Sequence, residues 1–350
     1  MSLEDSRWTE ADVPRLDGKV ALVTGANGGL GVETARVLAA RGARVLMACR
    51  TVAKGEAVAE HLRQQQPDAD VQVLALDLAD LSSVGRCAAQ VQEEVGSLDL
   101  LINNAGIMAI PRRDTADGLE MQLGTNHIGH FALTARLLPL LAPEARIVTV
   151  SSQAHRMGWM AWSDLMGQRR YDKWLSYGQS KLANLLFHFE LDRRLRASGA
   201  TQRAVAAHPG YAATNLQHVG PQLSGSPREA KLMRLANRYL AQSAAHGALP
   251  SLRAATDPKA QGGDYFGPDG FWEVRGWPVL VGHANRAGDV ADAARLWRHS
   301  EAWTGLSLLS GAALTQTAGS SDSEDLDADD VDTDDRETEA PVAMARAATP

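Results

Sequence analysis

Cysteine is scarce: the 350-residue chain has two, Cys49 and Cys87, and they form no CxxC pair. That leaves no disulfide framework and no metal site of the usual spacing, so both thiols read as buried, small apolar residues. Long hydrophobic runs are missing too. No stretch approaches the ~18 uninterrupted apolar residues of a membrane-spanning helix. The first residues carry Glu4, Asp5, Glu10 and Asp12 around no apolar centre, unlike a secretory signal. A basic excess is also absent. The net charge is -7, but residues 318–350 hold eleven Asp and Glu against two Arg, which leaves the rest near +2. A body so close to neutral has no electrostatic footprint for nucleic acid. No internal repeat occurs. These absences leave a soluble, cytoplasmic protein as the expectation.

What is present is the composition of a globular protein, 45% apolar and 22% charged, at a length that fits one large α/β domain or two smaller ones. Residues 1–16 read as a polar leader. After about residue 311 apolar residues thin out and Asp and Ser take over, so 311–350 is expected to be an acidic, disordered tail. Between them, short apolar runs alternate with ten- to twenty-residue helical patterns. The runs are 19–24, 43–48, 71–76, 98–102, 146–150, 203–207 and 264–267. Helical patterns cover 32–41, 52–66, 81–95, 117–141, 176–195, 231–255 and 287–304. Such alternation predicts right-handed crossovers and a single, doubly wound parallel α/β sheet of about seven strands, with helices on both faces.

In sheets of this kind ligands bind beyond the carboxyl ends of the strands. The polar punctuation falls there: Gly25, Arg50, Asp77, Asn104 and Ser152 each follow a strand. After the first strand comes Gly25-Ala26-Asn27-Gly28-Gly29-Leu30-Gly31 and then a helix, the context a phosphate-binding loop needs. The spacing is Gly-x-x-x-Gly-x-Gly rather than the usual Gly-x-Gly-x-x-Gly. The second strand ends at Arg50, with Lys54 one turn on. An acidic residue there would repel a 2′-phosphate and a cation attracts one, so NADP(H) is favoured over NAD(H). Residues 217–234 are polar, glycine-containing and irregular, the composition of a mobile lid.

Tyr177 and Lys181 stand four apart in a helical pattern, hence on one face. A phenol beside an ammonium can serve as an acid–base group, because a nearby cation favours the phenolate. A solvated helix face has the same spacing. His127, His130, His155 and His208 lie near the motifs and read as structural hydrogen-bonding groups. Trp159, Trp162 and Trp174 could wall an apolar pocket or simply pack.

Taken in order, Thr24 to Gly31, Asn103-Asn104-Ala105-Gly106, Asn126, Ser152, Tyr177-x-x-x-Lys181 and Pro209-Gly210 resemble the short-chain dehydrogenase/reductases over roughly residues 17–305. Ala48-Cys49-Arg50, Thr125 to Phe131, Val150 to His155 and Ser180 to Asn184 resemble the retinol-dehydrogenase-like branch, which includes relatives of protochlorophyllide reductase. Its long interval between serine and tyrosine, 25 residues here, selects Ser152 over Ser151.

The resemblance implies a Rossmann-type NADP-binding oxidoreductase domain over 17–310. It implies a catalytic set of Asn126, Ser152, Tyr177 and Lys181. Tyr177 would exchange a proton with the substrate oxygen, Ser152 would hydrogen-bond that oxygen, and Asn126 would position a water beside Lys181. Lys181 would hold the ribose and depress the Tyr177 pKa. Gly25, Asn27, Gly28, Gly29, Leu30 and Gly31 would hold the pyrophosphate, Arg50 and Lys54 the 2′-phosphate, and Asp77 and Leu78 the adenine. Asn104, Ala105 and Gly106 would line the way to the nicotinamide ribose, and Pro209, Gly210 and Thr214 would meet the carboxamide. The implied substrate is a small apolar carbonyl or alcohol; relatives commonly dimerise and some are monomers, so the resemblance leaves a homodimer or a monomer open. Two other functions fit the same motifs: a cofactor-binding sensor without turnover, and reduction of a carbon–carbon double bond.

Overall fold

The computed structural model describes residues 7–211 and 242–309. All belong to the first of two units, Met1–Leu314; the second, Thr315–Pro350, lies outside them. The expectations for the leader's first six residues, Thr214, the lid at 217–234, the start of the helix at 231 and the acidic tail therefore fall outside the described residues.

Eight strands form one sheet: β1 (Val20–Thr24), β2 (Arg44–Cys49), β3 (Val71–Ala75), β4 (Leu98–Asn103), β5 (Leu141–Val150), β6 (Arg203–Ala207), β7 (Tyr265–Pro268) and β8 (Pro278–Leu280). Their order is β3-β2-β1-β4-β5-β6-β7-β8. Every neighbouring pair is parallel except β7 and β8, where Phe266 faces Leu280. The eighth strand corrects the expected count of seven. It is a three-residue antiparallel edge, too short for its apolar pattern to register. From β1 the chain winds outward through β2 and β3, then returns to lay β4 on the other side of β1. That reversal opens a crevice at the carboxyl ends of β1 and β4.

The strands read as apolar runs because both sheet faces are covered. On one face Ala21, Val23, Val45 and Met47 pack with Leu38 of α1 (Gly29–Ala40) and Leu62 of α2 (Val52–Gln65). On the other, Leu22, Leu46 and Leu101 meet Val91 of α3 (Leu81–Glu94). The continuous helix expected over 117–141 is instead broken. A short α4 (Met121–Leu123) runs through a π-helical stretch (Gly124–Ile128) into α5 (Gly129–Leu137). The central helix α6 (Lys173–Ala197) starts at Asp172, whose Oδ1 accepts from the Trp174 and Leu175 amides. Helices α7 (Ala244–Thr256) and α8 (Val290–Thr304) follow. No described helix is long and apolar enough to cross a membrane. Cys49 and Cys87 are free and buried, and burial pushes both thiols up, Cys87 to about 12.

Candidate active site

One cavity of about 410 Å³ runs along the carboxyl ends of β1 to β6, within the size range of small-molecule sites. Its wall includes every described residue expected to touch a cofactor: the glycine loop, Arg50, Lys54, Asp77, Leu78, Asn104 to Gly106, Pro209 and Gly210. Ser152, Tyr177 and Lys181 line it too. Sequence reasoning missed Ile107, Met108, Thr125 and Tyr211, which also face it. Ile107, Met108 and Tyr211 sit one or two places beyond a recognised motif and Thr125 opens one, so adjacency was the available signal. Trp159, Trp162 and Trp174 are not among the lining residues. Trp162 instead stacks on His299 of α8 and donates to Asp292 Oδ1 at 2.9 Å.

The glycine loop is shaped for close approach. Gly25 has a left-handed φ of 68°. A Cβ on Gly31 would run into the Gly25 carbonyl oxygen and meet Asn104 Nδ2 at 2.8 Å. Helices α3, α6, α7 and α8 are capped by the side chains of Asp80, Asp172, Ser243 and Asp289, whereas α1 and α2 have none. The two uncapped starts are the ones at the cavity. Their free amides and positive dipole ends suit a pyrophosphate and a further phosphate. Arg50 and Lys54, both exposed at the start of α2, form no hydrogen bond or ion pair with another described residue. The cavity therefore fits a nicotinamide dinucleotide.

Thr24 ties the loops together. Its Oγ1 accepts from the Asn104 and Ala105 amides, each at 2.9 Å, while Asn104 Nδ2 donates to the Thr24 carbonyl at 2.7 Å. His130 Nε2 lies 2.9 Å from the same hydroxyl, and His130 Nδ1 lies 3.0 Å from the Asn126 carbonyl. Burial lowers the His130 pKa to about 4. The neutral ring then donates from Nδ1 to Asn126 and accepts from Thr24.

Asn126 lies in the π-helical stretch and is fully buried. Its Oδ1 accepts from the Ile107 amide at 2.8 Å. Its Nδ2 donates to the Ile107 carbonyl and to Ser180 Oγ, both at 2.9 Å. The side chain clamps the loop after Gly106 to α6, and its polar atoms are committed.

At the reacting end, Ser151 and Ser152 divide their work. Ser151 Oγ donates to the Lys181 carbonyl at 2.8 Å and is buried. The Ser152 hydroxyl accepts from the Ala154 amide at 3.2 Å and acts to lower the Tyr177 pKa. Lys181 Nζ donates to the Val150 carbonyl at 3.0 Å and stands 5.9 Å from the centre of the Tyr177 ring. Burial dominates both groups. It raises the Tyr177 pKa, against a smaller opposing effect of Ser152, and lowers that of Lys181 to about 8. In the chain alone desolvation sets the direction at both groups.

Residues 19–222 match the short chain dehydrogenase family. Retinol dehydrogenase 12 of Mus musculus is 44% identical over 259 residues, covering 72% of this chain and 78% of the relative. Retinol dehydrogenase 13 of Homo sapiens is 41% identical over 304 residues, covering 85% and 87%. The crystal structure of an uncharacterized protein from Mycobacterium Paratuberculosis superposes with a TM-score of 0.71 at 45% identity, over 86% of this chain and 98% of that one. The chain belongs to the short-chain dehydrogenase/reductase family, in its retinol-dehydrogenase-like branch, and is a nicotinamide-dependent oxidoreductase of alcohol or carbonyl groups.

Proposed function

We propose that the protein interconverts a carbonyl and an alcohol on a small apolar substrate using NADP(H), with Tyr177 as the acid–base group. The observation that carries this reading is the convergence of Ser152, Tyr177 and Lys181 on one cavity that also holds the glycine loop and Arg50. When bound, the nicotinamide supplies or accepts a hydride and, in its oxidised form, adds positive charge beside the phenol.

The chain's own groups do the rest. Ser152 holds the reacting oxygen next to Tyr177. The phenol gives its proton to that oxygen during reduction and takes one back during oxidation. Burial leaves the phenol short of water, which favours exchange of its proton with the substrate oxygen over exchange with solvent. Lys181, anchored on Val150, faces the ribose region through Gly106, where a Cβ would lie 3.5 Å from Nζ. Arg50 and Lys54, free of other partners among the described residues, receive the 2′-phosphate that separates NADP from NAD.

The test follows nicotinamide absorbance with a panel of alcohols and carbonyls. Tyr177→Phe is expected to lower kcat by about 10²–10⁴-fold, the usual worth of general acid–base catalysis, while NADPH still binds. Turnover that survives the substitution would sink the assignment. A wild-type protein that binds NADPH yet turns over nothing in the panel would instead support a sensor.

A further inference from the structure

Two successive non-glycine residues, Trp272 and Glu273, sit in the left-handed backbone region, at φ 53° and 54°. Bulky side chains disfavour that region, and Trp272 is not compensated by burial. It is 77% exposed, and its neighbour Phe271 86%. Both belong to the hairpin between β7 and β8. Backbone bonds such as Asp269 N–H to the Trp277 carbonyl at 2.9 Å and Gly270 N–H to the Arg275 carbonyl at 3.1 Å close the hairpin, and the side chain of Glu273 turns back from it.

Three donors converge on its carboxylate. Oε2 accepts from His208 Nε2 at 2.8 Å and from Gln153 Nε2, and Oε1 accepts from Arg156 Nη2 at 3.2 Å. Arg156 is itself fixed, donating to the Gly282 carbonyl at 2.7 Å. His208 is fully buried, and its Nδ1 accepts from the Gly210 amide at 3.2 Å. That assigns the proton to Nε2, facing Glu273, so a neutral imidazole satisfies both neighbours. Burial keeps His208 below the usual imidazole value in spite of the carboxylate. For Glu273 burial acts upward, but His208, Arg156 and Gln153 outweigh it and hold the carboxyl below its ordinary value.

The hairpin also meets the cavity wall through backbone. The Tyr211 amide donates to the Val274 carbonyl at 2.7 Å, and a Cβ on Gly210 would lie 2.5 Å from that oxygen. Glu273 thus connects Gln153, next to Ser152, with His208, two residues before Gly210. These are the loops after β5 and β6, on either side of the reacting end.

We propose that Glu273 is a positioning residue that clamps these two loops, so that the Ser152 hydroxyl and the Pro209-Gly210 turn keep a fixed spacing across the cavity. It touches neither substrate nor cofactor and acts through Gln153 and His208. The kinetic part of the proposal rests on the oxidoreductase reading above.

Glu273→Gln keeps the shape, but its amide offers one acceptor oxygen to three donor groups and adds an NH₂ of its own. Kcat is expected to fall between about tenfold and a hundredfold, the cost of a small misplacement at the chemistry, with KM changing far less. Affinity for ADP-ribose, with or without its 2′-phosphate, is expected to stay within about twofold, since this probe reaches only the glycine-loop half of the cavity. Nitrogen NMR of His208 is expected to show the Nε2–H tautomer in the wild type and a mixture in the variant.

If Glu273→Gln does not fold, Gln153→Ala cuts only the Ser152 arm and is expected to lower kcat in the same way. A lowered melting temperature with unchanged kcat in either variant would overturn the proposal. Should the wild type turn over no substrate, the oxidoreductase reading fails and binding decides. Weaker intact NADPH with unchanged ADP-ribose then supports the clamp, and unchanged affinity for both overturns it.

Discussion

Burial of an ammonium favours its neutral form, and Lys181, 4% exposed, is shifted from the usual lysine value down to about 8. Between that value and 10.5 the unfolded chain binds more protons than the folded one, so this group's contribution to stability rises with pH through that window. At pH 7 the buried charge costs the fold on the order of 3 kcal/mol. Lys181→Met removes the cost without stranding an acceptor, because the Val150 carbonyl still receives Asn184 Nδ2 at 3.1 Å. The cofactor-free variant is expected to be about 1–3 kcal/mol more stable than wild type at pH 7, with the advantage shrinking toward pH 10, and to have no turnover. Urea denaturation of both proteins at the two pH values reads this directly; a variant less stable at both contradicts it. Arg50 presents the opposite case of an exposed charge with no described partner. Arg50→Ala is expected to weaken NADP by roughly tenfold, the worth of one charge-assisted contact at an exposed site, and to leave NAD unchanged. Equal losses for both cofactors, measured by titration, would remove Arg50 from the 2′-phosphate.

At the scale of elements, the start of α1 is set by what cannot be there. A Cβ at Gly31 collides with the Gly25 carbonyl, which is backbone and cannot swing aside. Gly31→Ala is expected to cost about 1–3 kcal/mol by overpacking and to abolish dinucleotide binding, since relief requires opening the turn that cradles the phosphates. Calorimetry on the variant checks both, and a variant that binds NADPH normally would show the loop to be looser than drawn. The hairpin offers the reverse change. Trp272→Gly frees a left-handed residue at a site with little burial to lose, and is expected to stabilise the fold by up to about 1 kcal/mol. A lower melting temperature would mean that the ring packs after all.

The sequence made the strands and their polar ends legible because apolar runs, glycines and polar punctuation are local signals. Besides the short β8, three features were not legible. The break at Gly124–Ile128 keeps helical apolar spacing, so periodicity over 117–141 passes straight through the π-helical turn that sets Asn126. The early start of β5 is hidden by a bulge: opposite Leu98 and Leu100 of β4 its register jumps from Leu141 to Arg146, with Glu144 at φ 65° between them. The Glu273 clamp joins residues 65 and 120 positions apart, and nothing local in Gly270 to Gly276 announces an inward carboxylate.

Across the whole molecule, the site is held by neutral histidines, and this makes stability a function of acidity. Burial lowers His127 to about 3 and His130, His155 and His188 to about 4, with His208 also depressed. Three of them grip backbone at the reacting end: His130 the Asn126 carbonyl, His155 the Ser152 carbonyl at 2.7 Å, and His208 the Gly210 amide. A histidine whose folded pKa lies below its unfolded value takes up protons mainly on unfolding. Stability is therefore full above pH 6.5 and is lost as pH falls toward 4, with a slope of up to about 1.4 kcal/mol per pH unit for each group. Glu120 and Asp192 oppose the trend, because burial raises both carboxyls and the folded state binds their protons first. Two such groups do not cancel five. Unfolding free energy is expected to drop by several kcal/mol between pH 7 and pH 5, and NADPH affinity to fall over the same range as the gripped backbone is released. Urea titrations at half-unit pH steps, with cofactor fluorescence followed in parallel, test both. A flat stability profile would require these rings to accept protons inside the folded core, where of the five only His208 faces a carboxylate, that of Glu273.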